Sequence, residues 1–201
     1  GDLKTGRLYL CRGLGDWKFA KPIVLEAGIS AYYVETADLN EDGYLDILVP
    51  NELGRTASFW ISPGPSIFKN TSPLKRQTVN PSGFRINDVR ARDFTGDGHL
   101  DILTANWGSS TVSLFPGRGD GTFGKERLMP AGKHCVFFAV ADFDSDGDLD
   151  FALGIAKLLS RDHPFGLESG IDDHEIRSDF HDRTLDDGAR PHFGFNLTLF
   201  E

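Results

Sequence analysis

The sequence predicts an all-β fold built from repeated units of short strands. An Asp-rich loop of one form recurs three times, starting at Asp38, Asp93 and Asp142, so the loops are spaced by 55 (93 − 38) and 49 (142 − 93) residues. The chain has 16 Phe and only 1 Met, and aromatic side chains suit the pleated, half-buried surface of a sheet. No window of helical length before Leu153 carries an apolar stripe at helical spacing.

The individual strands are predicted from short apolar runs that are bounded by turn residues. Segments 45–49 and 100–104 each follow an Asp-rich loop and end close to an Asn, and segment 111–115 alternates before Pro116 and Gly117. Repeats of about 50 residues made of several short strands are typical of β-propeller blades and not of helical or leucine-rich repeats. The sequence therefore predicts propeller blades, with about three repeats present.

A second element recurs between the Asp-rich loops. Residues 7–22 read RLYLCRGLGDWKFAKP and residues 111–126 read TVSLFPGRGDGTFGKE, whereas residues 56–71 hold a weaker copy, TASFWISPGPSIFKNT. Pro63, Gly64 and Pro65 replace the Gly-rich turn of the other copies. We therefore expect a remodelled turn at this position.

Each Asp-rich loop has the form D-x-[D/N/T]-x-D-G-x-x-D, which places oxygen donors at alternate positions. Ca²⁺ takes about six to eight oxygen ligands, and a tight loop supplies them in this way, whereas Mg²⁺ keeps more of its waters. An EF-hand loop closes with Glu at position twelve, where this sequence has Val49, Thr104 and Leu153, so that class is excluded. The competing interpretation is that these are ordinary Asp-Gly turns, whose acids only favour a tight bend.

We predict up to three calcium ions, one in each of loops 38–46, 93–101 and 142–150. The predicted ligands are Asp38, Asn40, Asp42, the Tyr44 carbonyl and Asp46 in the first loop; Asp93, Thr95 or a water, Asp97, the His99 carbonyl and Asp101 in the second; and Asp142, Asp144, Asp146, the Asp148 carbonyl and Asp150 in the third.

Composition limits the possible partners. The 21 basic and 30 acidic residues give a formal charge of −9, which argues against nucleic acid or an anionic membrane as the main partner. No apolar stretch approaches the roughly 18–20 residues of a membrane span, so membrane insertion is not expected. Cys11 and Cys135 are predicted to form either two buried thiols or one disulfide.

In these motifs the chain resembles the FG-GAP and VCBS repeat families, which pair the Asp-rich loop with a G-[DN]-G-T-F turn. Residues 119–124 read GDGTFG and match that turn closely, and residues 15–19 match it loosely. The resemblance covers residues 7–154 and extends to the propellers of integrin α-subunits. It implies a seven-bladed propeller whose calcium ions are structural. Since three copies do not close a ring, further sequence or another chain is expected to complete it.

The sequence divides into three segments. Residues 1–155 are assigned to the repeats, 156–192 to an irregular segment rich in His, Asp and Arg, and 193–201 to a terminal strand. The irregular segment is expected to be a solvated insertion or linker. A metal or catalytic site is the alternative, because the segment holds His163, His174, His181 and His192.

The expected function is an extracellular binding module that recognises a glycan or a protein. Trp60 and Trp107 are candidates for stacking on a sugar, and the alternative is that both belong to the blade core. A second hypothesis is the propeller domain of a carbohydrate-active enzyme of the lyase or dehydratase type, although no nucleophile–base pair or catalytic residue can be assigned. A third is a non-catalytic subunit of a larger assembly.

Overall fold

The computed structural model describes residues 6–31, 33–69 and 74–155, which contain fourteen strands and one short 3₁₀ turn. The all-β prediction is confirmed for these residues. The strands are β1 (Arg7–Leu10), β2 (Gly13–Gly15), β3 (Lys18–Phe19), β4 (Ile23–Glu26), β5 (Glu35–Ala37), β6 (Asp46–Asn51), β7 (Thr56–Trp60), β8 (Gln77–Val79), β9 (Ile86–Arg92), β10 (Asp101–Asn106), β11 (Thr111–Phe115), β12 (Arg127–Pro130), β13 (Cys135–Ala141) and β14 (Asp150–Ile155).

Eight of these strands form two four-stranded antiparallel meanders, in the order β5-β6-β7-β8 and β9-β10-β11-β12. We call them the first and second full blades. The two blades share one register, since Ile47 pairs with Trp60 in the first and Ile102 pairs with Phe115 in the second. Consecutive four-stranded meanders of this kind are consistent with β-propeller blades.

Each full blade is flanked by a two-stranded piece. β1 pairs with β4 so that Arg7 faces Glu26, and this register matches the pairing of β11 with β12. The β1–β4 pair therefore corresponds to the third and fourth strands of a blade, and we call it the outer half-blade. β13 pairs with β14 as β9 pairs with β10, because Asp150 faces Ala141 where Asp101 faces Arg92. This pair is the inner half-blade.

The core lies between the blades. All six residues of β6 and all six of β10 are buried, because both faces of each strand are covered. Neither strand alternates between buried and exposed positions, and the polar residues within them, such as Asp101, Thr104 and Asn106, are buried as well. Leu48 of the first full blade belongs to the same apolar cluster as Val89 and Ile102 of the second. At the next junction, the buried carboxylate of Asp88 accepts a hydrogen bond from the backbone N–H of Phe138 at 2.9 Å.

Most local predictions agree with these elements. The strands predicted at 45–49 and 100–104 are displaced, and run from Asp46 to Asn51 and from Asp101 to Asn106, while β11 has the predicted bounds. The remodelled turn is observed at Gly64–Ser66, which forms the 3₁₀ turn where the second full blade has a bridge between Gly117 and Phe123.

The predicted states of the cysteines need correction. Both thiols are free, with Cys135 buried and Cys11 exposed, so the chain has neither two buried thiols nor a disulfide. Cys11 is exposed because it follows β1, at the open edge of the outer half-blade. The four C-terminal histidines and the strand predicted at 193–201 lie outside the described residues. Within the described part of the chain, no helix is long and apolar enough to cross a membrane.

Candidate metal-binding loops and the opposite ends of the blades

The first Asp-rich loop connects β5 to β6 and is closed by hydrogen bonds from its own backbone. Asp38 accepts from the N–H groups of Asp42 and Gly43, at 3.1 and 2.8 Å, and Asp42 accepts from that of Tyr44 at 2.9 Å. Asn40 donates to the Asp42 carboxylate at 2.9 Å. Gly43 has φ of 84°, a left-handed conformation that is readily adopted only without a β-carbon. The three predicted side chains at positions one, three and five thus act together in one turn, which Gly43 at position six allows.

The second loop, between β9 and β10, repeats this geometry. Asp93 accepts from the N–H groups of Gly96, Asp97 and Gly98 at 2.8, 3.2 and 2.9 Å. Asp97 accepts from the N–H of His99 at 3.0 Å. The loop differs at its third position, where Thr95 offers a hydroxyl in place of a carboxylate or an amide. Among the predicted ligand side chains, this loop therefore has one carboxylate fewer than the third loop.

The third loop, between β13 and β14, gathers three carboxylates. Asp142 accepts from the N–H groups of Asp146 and Gly147 at 3.1 and 3.0 Å. One carboxylate oxygen from each of Asp142, Asp144 and Asp146 lies within 4.8 Å of the other two, and all three residues are exposed. Partial loss of hydration, followed by the charge of Asp146, raises the pKa of Asp144. Like charges held this close favour a cation between them.

The acid at position nine of each loop has a second role that the sequence does not reveal. Asp46 is fully buried and accepts from the N–H groups of Leu39 at 2.8 Å and Ser62 at 2.7 Å. Asp101 is equally buried and accepts from three N–H groups, those of Phe94, Thr95 and Gly117. Each carboxylate therefore ties the start of its loop to the end of the blade's third strand.

Burial raises the pKa of Asp46 and of Asp101, against the opposing effect of the backbone donors. The charges of Asp42 and Asp38 also raise the pKa of Asp46, so these acids lie in one electrostatic environment. Asp150 is less buried and accepts from the N–H of Phe143 at 2.9 Å. A cation placed among these acids would offset the cost of keeping them ionised.

Neighbouring loops also contact each other. The Nδ1 atom of His99, in the second loop, lies 2.6 Å from a carboxylate oxygen of Glu41 in the first. This hydrogen bond raises the pKa of His99. The pair links two blades, and it was not predicted because the two residues occupy variable positions of their loops.

The donor set suits a hard cation. The side chains that converge in the first and third loops present carboxylate and amide oxygens, and those of the second present carboxylates and a hydroxyl, which are the ligands Ca²⁺ prefers. The predicted carbonyl donors belong to Tyr44, His99 and Asp148, at the position after the glycine turn in each loop. Calcium binding by these residues stays a prediction.

The strand order places the Asp-rich loops and the other blade connections at different ends. In an antiparallel meander, the turns after the first and third strands lie at one end, and the remaining connections lie at the other. The Asp-rich loops therefore share an end with the GDGTFG turn, and Gly121 donates its N–H to the Leu39 carbonyl at 3.1 Å. The turns 51–56 and 106–111 and the connections 27–31, 80–86 and 131–135 lie at the opposite end, which we call the connection end.

The two tryptophans differ in position. Trp60 is 1% exposed and packs in a core cluster, so it belongs to the blade core, as the alternative interpretation had it, and is not accessible for stacking on a sugar. Its burial follows from β7, whose last four residues are all buried between neighbouring strands. Trp107 is partly exposed at the connection end. Its ring has the guanidinium of Arg85 at 4.4 Å from its centroid and the ring of His134 at 5.2 Å.

The connection end also holds a cleft that sequence reasoning missed. It has a volume of about 350 Å³ and is lined by Glu52, Leu53, Arg55, Phe84 and Arg85. These residues come from the β6–β7 turn of the first full blade and from the segment preceding β9. Their spacing in the sequence carries no motif, so only the packing of one blade on the next could bring them together.

Comparison with known proteins agrees with the repeat pattern and the blades. A family model described as FG-GAP-like repeat matches residues 1–49 and 56–153, which is well over half of the chain. None of the curated proteins compared with the chain matches it. The matched residues include all three Asp-rich loops and both full blades, apart from the turn at residues 50–55. The chain therefore belongs to the FG-GAP-like repeat family.

Proposed function

We propose that this chain is part of a calcium-stabilised β-propeller that acts as an extracellular binding module for a glycan or a protein. The observation that carries the proposal is the third loop, in which oxygens of Asp142, Asp144 and Asp146 lie within 4.8 Å of one another. The same pattern of backbone hydrogen bonds recurs in all three loops. A bound cation would join the first and second strands of each blade.

A structural role for calcium follows from where the loops lie. The acids that end the first and second loops are hydrogen-bonded to the backbone just after the blade's third strand, so a cation there would stiffen the blade. In the third loop Asp150 accepts from Phe143 within the loop, so a cation there would stiffen the loop itself. In this arrangement the side chains exposed at the connection end remain available to bind a partner. Extracellular modules bind Ca²⁺ with Kd of about 10⁻⁴–10⁻³ M, so a measured affinity in that range would support the extracellular part of the proposal.

The calcium proposal is tested by thermal and chemical unfolding with calcium, with magnesium and with excess chelator. At a calcium concentration of one hundred times Kd, each occupied loop is expected to add about 2.7 kcal/mol to the free energy of unfolding. Asp144→Asn should weaken calcium binding by the third loop. Asp16→Asn, which removes an exposed acid outside the loops, is the matched control. Identical unfolding curves with calcium and with chelator would refute the proposal.

We further propose that other strands complete the two half-blades. In the full blades the second strand pairs with the third, whereas among the described residues β14 pairs only with β13 and β1 only with β4. By the shared register, Cys11 after β1 holds the position that Phe115 holds in the second full blade, where it pairs with Ile102 of the second strand. The added strands come from further sequence or from another chain, as in a subunit of a larger assembly. Native mass spectrometry tests self-completion, since copies that complete one another give multiples of 22.2 kDa.

A further inference from the structure

The cleft at the connection end lies at the junction between the two full blades. Its lining combines charged and aromatic side chains. Two arginines line it, and each guanidinium lies over an aromatic ring: Arg55 is 5.3 Å from the centroid of Phe84, and Arg85 is 4.4 Å from that of Trp107. Stacking fixes the plane of a guanidinium while its N–H groups remain able to donate.

The arginines are only partly neutralised. Arg85 faces Glu52 through one contact of 3.5 Å between its Nε atom and a carboxylate oxygen. The geometry leaves the terminal nitrogens of that guanidinium for another acceptor. No carboxylate among the described residues forms an ion pair with Arg55, which is exposed. A planar group with two adjacent acceptor oxygens is the natural complement of such donors.

Charge is distributed unevenly along the blades. The protein has a formal charge of −9, and its Asp-rich loops concentrate acids at one end of the strands. At the connection end, segments 51–56, 80–86, 106–111 and 131–135 contain Arg55, Arg85 and Lys133 but only one acid, Glu52. Lys133 belongs to the next junction, so the charged residues that line this cleft are Arg55 and Arg85 against Glu52, a formal charge of +1 (2 − 1). The cleft is thus a locally basic site on a protein with a formal charge of −9.

The walls of the cleft also suit a ligand that contains a ring. Phe84 is 39% exposed and Leu53 is 54% exposed, so both offer apolar surface beside the guanidinium groups. The volume of about 350 Å³ is at the small end of ligand pockets, which run from roughly 300 to 1,000 Å³. The cleft thus suits a compact ring that carries a carboxylate.

From these contacts we propose that the cleft binds a carboxylate-bearing sugar residue of a glycan. The carboxylate pairs with Arg55 and Arg85, and the sugar ring lies against Phe84 and Leu53. Trp107 acts as a positioning residue, since it supports Arg85 and does not itself face the ligand. The inference rests on the proposed binding function and specifies its ligand class.

The test uses the calcium-loaded protein on an array of glycans that carry hexuronate or sialate residues, with their methyl esters and neutral counterparts. Esterification removes the charge and keeps the ring. Binding of carboxylate glycans at least about tenfold tighter than their esters is expected, because a charge-assisted hydrogen bond contributes about 1.5–3 kcal/mol. The preference should fall as salt is raised. An acidic hexaglutamate peptide is measured in parallel.

Arg55→Gln should weaken carboxylate-glycan binding by about tenfold or more, and Arg12→Gln is its matched control. Arg12 is also exposed but lies at the end that holds the Asp-rich loops. Equal binding of glycans and esters, equal binding of the peptide, no binding at all, or an unchanged affinity in Arg55→Gln would each overturn the inference. Calcium-dependent stability is read separately, so the ligand proposal can fail while the calcium proposal stands.

Discussion

The buried acids at position nine allow a graded test of what holds the loops. Asp101 accepts hydrogen bonds from three backbone N–H groups, whereas Asp46 accepts from two. Replacing either residue by Ala leaves those donors without an acceptor, at a cost of about 1–3 kcal/mol for each. The low end of that range applies, because burial already raises the pKa of both carboxylates and their removal recovers part of the desolvation cost.

The expected losses are therefore about 3 kcal/mol for Asp101→Ala and about 2 kcal/mol for Asp46→Ala. Asp16→Ala removes an exposed acid with the same chemical change, and its loss should not exceed about 1 kcal/mol, which reflects the left-handed backbone of Asp16 (φ of 49°) and no buried donor. Asp101→Asn keeps one acceptor oxygen and should lose less than Asp101→Ala.

The assay is urea unfolding in excess chelator, which excludes any calcium contribution. A larger loss for Asp46→Ala than for Asp101→Ala, or losses no larger than that of Asp16→Ala, would refute the reasoning. Repeating the series with calcium shows whether the same acids also serve as ligands, because the calcium increment should then shrink in both buried variants.

Two further predictions concern other buried groups. Burial raises the pKa of Cys135 to about 11, so at pH 8 only about one molecule in a thousand carries the Cys135 thiolate. A thiol reagent should therefore label exposed Cys11 quickly and label Cys135 only in denaturant. Equal labelling rates for the two cysteines would contradict the burial of Cys135. Burial also raises the pKa of Asp88 above 3.8, so the folded state favours the protonated carboxyl group more than the unfolded state does. The stabilisation from this protonation is complete below about pH 3.8 and is lost as pH rises through the folded-state pKa. From about pH 4 to 7, unfolding free energy should therefore fall more steeply in the natural protein than in Asp88→Asn; parallel curves in urea titrations would count against this.

The fold was predictable where the repeat carries local information. The strand β11 could be bounded from its alternation and from Pro116 after it. The strands after the Asp-rich loops were predicted to end two residues early, because Asn51 and Asn106 look like turn residues although both are fully buried at the ends of their strands. The hydrogen bonds of Asp46 and Asp101 to Ser62 and Gly117 were not predictable, because those donors are 16 residues away from the acid, beyond any local pattern.

The contacts that build the connection end were harder to predict. Arg55 and Arg85 belong to different blades, and a sequence does not state how one blade packs against the next. The choice between sugar stacking and blade core for Trp60 could not be made from the sequence for a related reason: a residue at the end of a strand looks accessible, but β7 is covered by its neighbours. The Asp-rich loops were predictable because all their side chains come from nine consecutive residues, 38–46 in the first case.

The backbone around the cleft is repeated at every junction of the described blades. Arg85 and His134, which directly precede β9 and β13, are left-handed, with φ of 57° and 61°. Ser30, which precedes the bridge of Ala31 to Asn51, holds the matching position and has φ of 65°. Arg55 and Ser110 are likewise left-handed at matching positions of their turns, with φ of 54° and 55°. The framework is thus constant while its side chains vary. Specificity could be transplanted from one junction to the next by exchanging side chains alone, and a propeller with several such junctions could acquire multivalency without any change of fold.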